Sequence, residues 1–161
     1  MEETIVEVNV LFICLGNICR SPMAEAIFRN LVKKEGLDGK IHCDSAGTGG
    51  WHVGKQPHKG TREILQINNI SDEGIFARQF IKEDLAQFDY LIAMDASNIE
   101  NIQHLTKDPA AKIRLLMDYT EEGKGKEVPD PYFTGNFEEV YELITKGCEA
   151  LLAEIKKAYA F

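Results

Sequence analysis

Apolar positions along this chain change their spacing from one segment to the next. Val8–Cys14 (VNVLFIC) is apolar at every position but one, which predicts a strand buried on both faces. After Ser21-Pro22, the apolar residues Ala24, Ile27, Phe28, Leu31 and Val32 fall at i, i+3, i+4, i+7 and i+8. That spacing predicts one face of a helix, with Ser21 as its cap, Pro22 at its first position and Gly36 near its end. Residues 41–46 (IHCDSA) read as a second strand, followed by the loose stretch GTGGWHVGKQP. A helix is expected over 60–67, closed by Asn68-Asn69, and a short one over 82–87. Residues 89–94 (DYLIAM) and 113–117 read as further strands, with a helix between them capped by Ser97 and running to about Leu105. Phe137–Tyr159 reads as a long amphipathic helix.

Strands alternating with helices imply an α/β fold: one domain over residues 1–161, a four-stranded parallel sheet with helices on both faces. No repeat, linker or low-complexity segment interrupts it. The chain between Met117 and Phe137 is long for a loop in a compact domain, and loops of that length often carry function. Its first half, EEGKGKE, reads as solvated. Its second half, Asp130-Pro131-Tyr132-Phe133, puts two aromatic side chains on a surface loop.

Charge narrows the partners. Eighteen Lys and Arg against 26 Asp and Glu leave a formal net charge of −8, which argues against nucleic acid or an acidic membrane surface. The start of the chain, MEETIVEV, is acidic where a secretory leader would be basic, and no apolar run reaches transmembrane length. Four cysteines at 14, 19, 43 and 148 form no Cys-x-x-Cys pair. These features predict a reduced, cytoplasmic protein that is monomeric or weakly self-associating.

The chemistry centres on the end of the first strand. In a parallel α/β sheet, ligands bind at the carboxyl ends of strands, where Cys14 is expected. The loop Leu15-Gly16-Asn17-Ile18-Cys19 must curl back so that the helix can begin, and Gly16 and Asn17 tolerate the left-handed backbone that requires. Such a loop points its N–H groups inward and forms a phosphate-binding cup between the first strand and the first helix. Arg20 adds a planar fork for two oxygens of the anion. The same amides and guanidinium favour a Cys14 thiolate, with a further hydrogen bond available from Ser21. Cys14 is then a nucleophile at the floor of the cup. Asp130 is the candidate acid for the departing oxygen, with Tyr132 and Phe133 as aromatic walls.

These segments resemble the low-molecular-weight protein tyrosine phosphatases over nearly the whole chain. VLFICLGNICRSPMAEAIF is similar to their phosphate loop and first helix, DYLIAMDASN to their third strand and its exit, and DPYF to their acid loop. The resemblance implies hydrolysis of phosphotyrosine in protein substrates through a cysteinyl-phosphate intermediate, with no metal or cofactor. It implies Cys14 as nucleophile, Arg20 as phosphate clamp and Asp130 as acid and then base. By the same resemblance Asn17, Ser21 and Ser45 support the loop, Asp95 is a structural partner, and Trp51 and Tyr132 line the substrate groove. Family members often carry a second Tyr where Phe133 stands, so regulation by phosphorylation there is not implied.

Other residues weigh less. Cys19, inside the loop, reads equally as a space-filler or as a redox partner of Cys14. Cys43 and Cys148 read as core. The four histidines at 42, 52, 58 and 104 lack metal-ligand spacing and read as surface or structural, and GTGG at 47–50 as a flexible loop. Arsenate reduction needs further relay cysteines, and none lies between Cys43 and Cys148. Relatives that hydrolyse phosphoarginine carry Thr where Ile18 stands. A non-catalytic phosphate-binding module would lack the nucleophile or the acid, and both are present.

Overall fold

The computed structural model describes residues 6–107 and 113–161; residues 1–5, where the acidic start of the chain falls, lie outside them. Strand β1, Val8–Cys14, alternates its side chains between two cores. Val8, Val10, Phe12 and Cys14 pack into the larger one, with Met23, Ile27 and Phe28 of α1 (Arg20–Lys34) and Ile144 and Leu151 of α6 (Phe137–Tyr159). Leu11 and Ile13 pack into the smaller one, against Phe80, Leu91 and Ile102. A strand covered on both faces has no solvated side, hence its unbroken apolar sequence. Phe12 meets Phe28 edge-on at 5.5 Å between ring centroids, and truncating either to Ala should cost about 3–5 kcal/mol.

All four strands are parallel, in the order β2-β1-β3-β4, where β2 is Ile41–Gly47, β3 is Tyr90–Ala93 and β4 is Ile113–Leu115. The chain leaves β1 for a neighbour on one side and returns, after α2 (Lys59–Ile67) and α3 (Asp84–Gln87), to a neighbour on the other. That reversal opens a crevice beyond the carboxyl ends of β1 and β3. Helix α4 (Ala96–Thr106) covers the smaller core through Ile102.

Several expected boundaries move, each for a visible reason. Helix α1 begins at Arg20 with Cys19 in the cap position and no side-chain cap. Ser21 does not cap it, because its hydroxyl is engaged by Cys14 and Asn17. Asp95, not Ser97, caps α4: its carboxylate accepts from the Asn98 N–H, and Asn98 reaches back to the N–H groups of Met94 and Asp95. That reciprocal cap removes Met94 from the strand expected over 89–94. The expected 113–117 strand stops at Leu115, and Leu116–Tyr119 is a 3-10 helix. Leu116 turns inward there against Gly147 of α6, where a Cβ would stand 2.5 Å from its Cγ. The helix expected over 82–87 starts at Asp84, whose carboxylate accepts from the Ile81 N–H and from Arg78.

Candidate active site

The loop from Cys14 to Arg20 turns on one residue. Asn17, not Gly16, holds the left-handed backbone, with φ of 56°. Its side chain is the pivot of a hydrogen-bond network whose polarity follows from a single backbone group. The Arg78 N–H lies 2.9 Å from Asn17 Oδ1, and an N–H can only donate, so the amide nitrogen faces the other way. Nδ2 then donates to Ser21 Oγ at 2.7 Å and to Ser45 Oγ at 2.9 Å. Each serine oxygen accepts a hydrogen bond from Asn17 and keeps its own hydroxyl hydrogen to donate. Ser21 directs its proton to Cys14 Sγ at 2.9 Å, and Ser45 directs its proton to Glu25 Oε1 at 2.6 Å. The sulfur thus has a hydroxyl donor that cannot easily reverse.

Glu25 ends this network in the interior. Burial pushes its carboxyl up to about 7, only partly opposed by the Ser45 hydrogen bond. Arg78 braces the same region, since its guanidinium binds Asp44 and Asp84 at 3.0 Å each.

Arg20 is only 2% exposed. Its Nη1 donates to Asp95 Oδ2 at 2.6 Å and to the Val128 carbonyl at 2.9 Å. Its Nε, also buried, has no hydrogen-bond partner among the described residues. Burial disfavours its charge, but Cys14, Asp95 and Asp130 outweigh that and hold it firmly protonated. Asp95 is the reciprocal case: burial opposes its charge, yet bonds from Ser97 and Arg20 hold its carboxyl below the ordinary value.

The segment carrying Asp130 crosses the carboxyl end of β3. Val128 N–H donates to the Met94 carbonyl at 2.9 Å, and Glu127 accepts from the Ala96 N–H at 2.6 Å. Asp130 caps the short helix α5 (Pro131–Thr134), accepting from Tyr132 N–H at 3.1 Å through Oδ1. Its Oδ2 lies 3.5 Å from Arg20 Nη2.

Cys14, Arg20 and Asp130 line one pocket of about 170 Å³, together with Leu15, Gly16, Ile18 and Cys19 of the loop. Trp51, Tyr132 and Phe133 form its rim, 68%, 57% and 76% exposed. Asn17, expected among the phosphate-binding residues, does not line the pocket; it works behind the loop with Ser21 and Ser45. The 47–50 stretch, expected to be flexible, is bonded to the loop, from Thr48 N–H to the Cys14 carbonyl and from Gly49 N–H to that of Leu15, each at 2.9 Å. Gly49 also lets the Trp51 ring lie against the backbone, since a Cβ there would stand 2.0 Å from it.

Two further residues belong to the site without a clear mark in the sequence. His52 lines the pocket beside Trp51, close enough that a Cβ on Gly16 would stand 3.1 Å from its ring. Glu25 lies one helical turn after Ser21, and a lone carboxylate between Ala24 and Ala26 on an apolar face was its only signal. Cys19 is buried, and burial with the nearby charges of Cys14 and Asp130 raises its thiol to about 12 against the opposing Arg20. Cys148 is core as expected. Cys43 is partly exposed, with its thiol against the Glu25 carbonyl at 3.6 Å. Among the described residues no group of three His, Cys, Asp or Glu is arranged to hold a metal ion, and no helix is long and apolar enough to cross a membrane.

Comparison with known proteins follows the same lines. The sequence model of the family described as low molecular weight phosphotyrosine protein phosphatase matches residues 9–160. The low molecular weight protein-tyrosine-phosphatase YfkJ of Bacillus subtilis is 58% identical over 93% of this chain and 97% of its own. The crystal structure of YfkJ superposes with a TM-score of 0.91, covering 94% of this chain and 96% of that one. PtpA of Staphylococcus aureus, a low molecular weight protein-tyrosine-phosphatase, is 43% identical over 93% of this chain and 95% of its own. A Drosophila arginine phosphatase structure matches with a TM-score of 0.82 at 38% identity, covering 91% of this chain and 97% of that one.

Proposed function

The chain belongs to the low molecular weight phosphotyrosine protein phosphatase family and is a cysteine-based protein tyrosine phosphatase that needs no metal ion; we propose that Cys14, Arg20 and Asp130 carry its reaction. One observation supports this assignment above the rest. Cys14 Sγ sits under a committed hydroxyl donor, in a pocket also lined by Asp130 and by Arg20, whose buried Nε has no hydrogen-bond partner among the described residues.

The phosphoryl group of phosphotyrosine enters the loop with its oxygens facing the backbone amides and the Nε side of Arg20. The Cys14 thiolate attacks phosphorus as the bond to the phenolic oxygen breaks, and Asp130 gives that oxygen a proton. Asp130, now a carboxylate, takes a proton from water, which attacks the phosphocysteine; phosphate leaves and the thiolate returns. Ser21 donates to the sulfur when it is charged and cannot follow it into the covalent state, so it favours departure of the thiolate. A nearly buried nucleophile beneath the rim of Trp51 and Tyr132 suits a flat ring between the phosphate and the peptide chain.

Phosphoarginine and arsenate chemistry are not favoured. Ile18, apolar, lines the pocket, while Cys43 and Cys148 do not. We place the enzyme in the cytoplasm, a reading supported by four cysteines that are all free thiols. Redox sensitivity is part of the proposal. Peroxide oxidises the Cys14 thiolate to a sulfenic acid, releasing hydroxide. The Cys19 sulfur then displaces the second oxygen as water, taking up its own proton, and a thiol reductant reverses the disulfide. Cys19→Ser should therefore stay active but recover less after peroxide and reductant.

The function itself is tested by phosphate release from a phosphotyrosine peptide with chelator present. Wild type should turn over and Cys14→Ser should not, while still binding inorganic phosphate. Turnover that requires added metal, or that survives Cys14→Ser, contradicts the assignment.

A further inference from the structure

The nucleophile and the acid sit on loops separated by more than a hundred residues, and helix α2 stands between them. His58, its cap, touches both loops. Its backbone N–H donates to the Ile18 carbonyl in the phosphate loop at 2.7 Å, and Thr61 one turn later donates to the Cys19 carbonyl at 3.1 Å. The His58 ring faces the other way. It stacks on Phe137 with centroids 5.1 Å apart and planes 17° apart, and it meets Tyr132 edge-on at 6.1 Å and 81°. Gly60 makes that stack possible, since a Cβ there would stand 2.5 Å from the Phe137 ring. His58 Nδ1 accepts from the Gly60 N–H at 3.0 Å, which puts the proton of the neutral ring on Nε2.

His58 does not line the pocket, so it does not touch the reacting atoms. It does touch the residue that fixes the acid. Tyr132 supplies the N–H that holds Asp130 Oδ1. We infer that His58 is a positioning residue that registers the acid loop against the phosphate loop, its ring seating Tyr132 and thereby setting the Asp130 carboxyl over the leaving oxygen. This rests on Asp130 being the general acid.

A residue that only caps a helix would act on stability, and the two roles separate by substitution. His58→Asp keeps a cap acceptor and removes the ring; His58→Phe keeps a ring and removes the acceptor. The readout is kcat/KM on phenyl phosphate, whose leaving group needs a proton, and on p-nitrophenyl phosphate, whose leaving group barely does. His58→Asp should melt near wild type yet lose about tenfold on phenyl phosphate and only about twofold on p-nitrophenyl phosphate. His58→Phe should melt lower and keep the wild-type ratio between substrates.

In an Asp130→Ala background, His58→Asp should cost nothing further on phenyl phosphate. A loss from His58→Asp that is equal on both substrates, or that persists in the Asp130→Ala background, overturns the inference and leaves the Asp130 assignment standing. Equal loss on both substrates from Asp130→Ala itself overturns the acid assignment, and the role of His58 falls with it.

Discussion

The two halves of the site are built in opposite ways. The phosphate loop is closed in: Cys14, Asn17, Arg20 and Ser21 are each at most 3% exposed, and the loop is tied to Ser45, Arg78 and Asp95, with Ser45 in turn bonded to Glu25. The acid segment is anchored in the core at Val128 but carries Tyr132 and Phe133 on the outside. It is held by a backbone bond at Val128, by Glu127 on the α4 terminus, by Arg20 and by the contact of Tyr132 with His58. The difference fits the work proposed for each half. The loop must present fixed donors to a charge that grows in the transition state, and donors that need no reorganisation are worth most there. The acid must admit an aromatic ring and release it, which a fully packed segment would prevent.

The largest effects should come from removing the closed half. Cys14→Ser should lower kcat on the order of 10⁵-fold while the variant still binds phosphate in a calorimeter. Arg20→Lys should lose roughly 10²–10³-fold in kcat/KM, because an ammonium cannot both hold Asp95 and grip the anion with a fork. Retention of wild-type kcat/KM by either variant breaks the distinction between the halves.

Removing the open half should be selective. Asp130→Ala should cost about 10²–10⁴-fold in kcat/KM on phenyl phosphate and much less on p-nitrophenyl phosphate. A loss independent of leaving group would make Asp130 structural, a partner of Arg20 only.

Glu25 gives a test of the closed half by stability. Its folded carboxyl is raised from 4.5 to about 7, so the folded protein holds a proton that the unfolded chain has released between those values. Stability from this group is greatest below pH 4.5 and falls as pH rises through about 7, by about 3 kcal/mol in all. Glu25→Gln cannot titrate. Its stability relative to wild type in urea unfolding should therefore rise between pH 5 and 8, and parallel curves would contradict the buried-carboxyl account.

The smallest effect concerns selectivity. Ile18 lines the pocket and offers phosphoarginine nothing to replace the solvation of its guanidinium. Ile18→Thr should move the ratio of kcat/KM for phosphoarginine over phosphotyrosine upward about three- to tenfold. An unchanged ratio would remove Ile18 from substrate choice.

How much of this the chain discloses in advance depends on how local the cause is. Strand β1, helix α6 and the order of strands and helices follow from spacing alone, and β1 and α6 end where the pattern ends. The pocket residues Cys14, Arg20 and Asp130 are legible because their residue types mark a loop, a cap and a turn. Boundaries set by tertiary bonds are not. Ser21 looks like a cap until Asn17 claims it, and the third strand runs to Met94 until Asn98 takes its N–H. Glu25 and His58 act through residues that fold brings near, at Ser45 and Tyr132, and no local spacing carries that information.

The central claim is that Cys14 accepts the phosphoryl group and Asp130 governs its arrival and departure. Asp130→Ala mixed with p-nitrophenyl phosphate and quenched in acid during turnover tests this directly. Without the base that activates water, the covalent state should accumulate, and mass spectrometry of the digested protein should find one phosphoryl group on Cys14. A phosphoryl group on another residue, or none while the same enzyme releases p-nitrophenol in a burst, contradicts it.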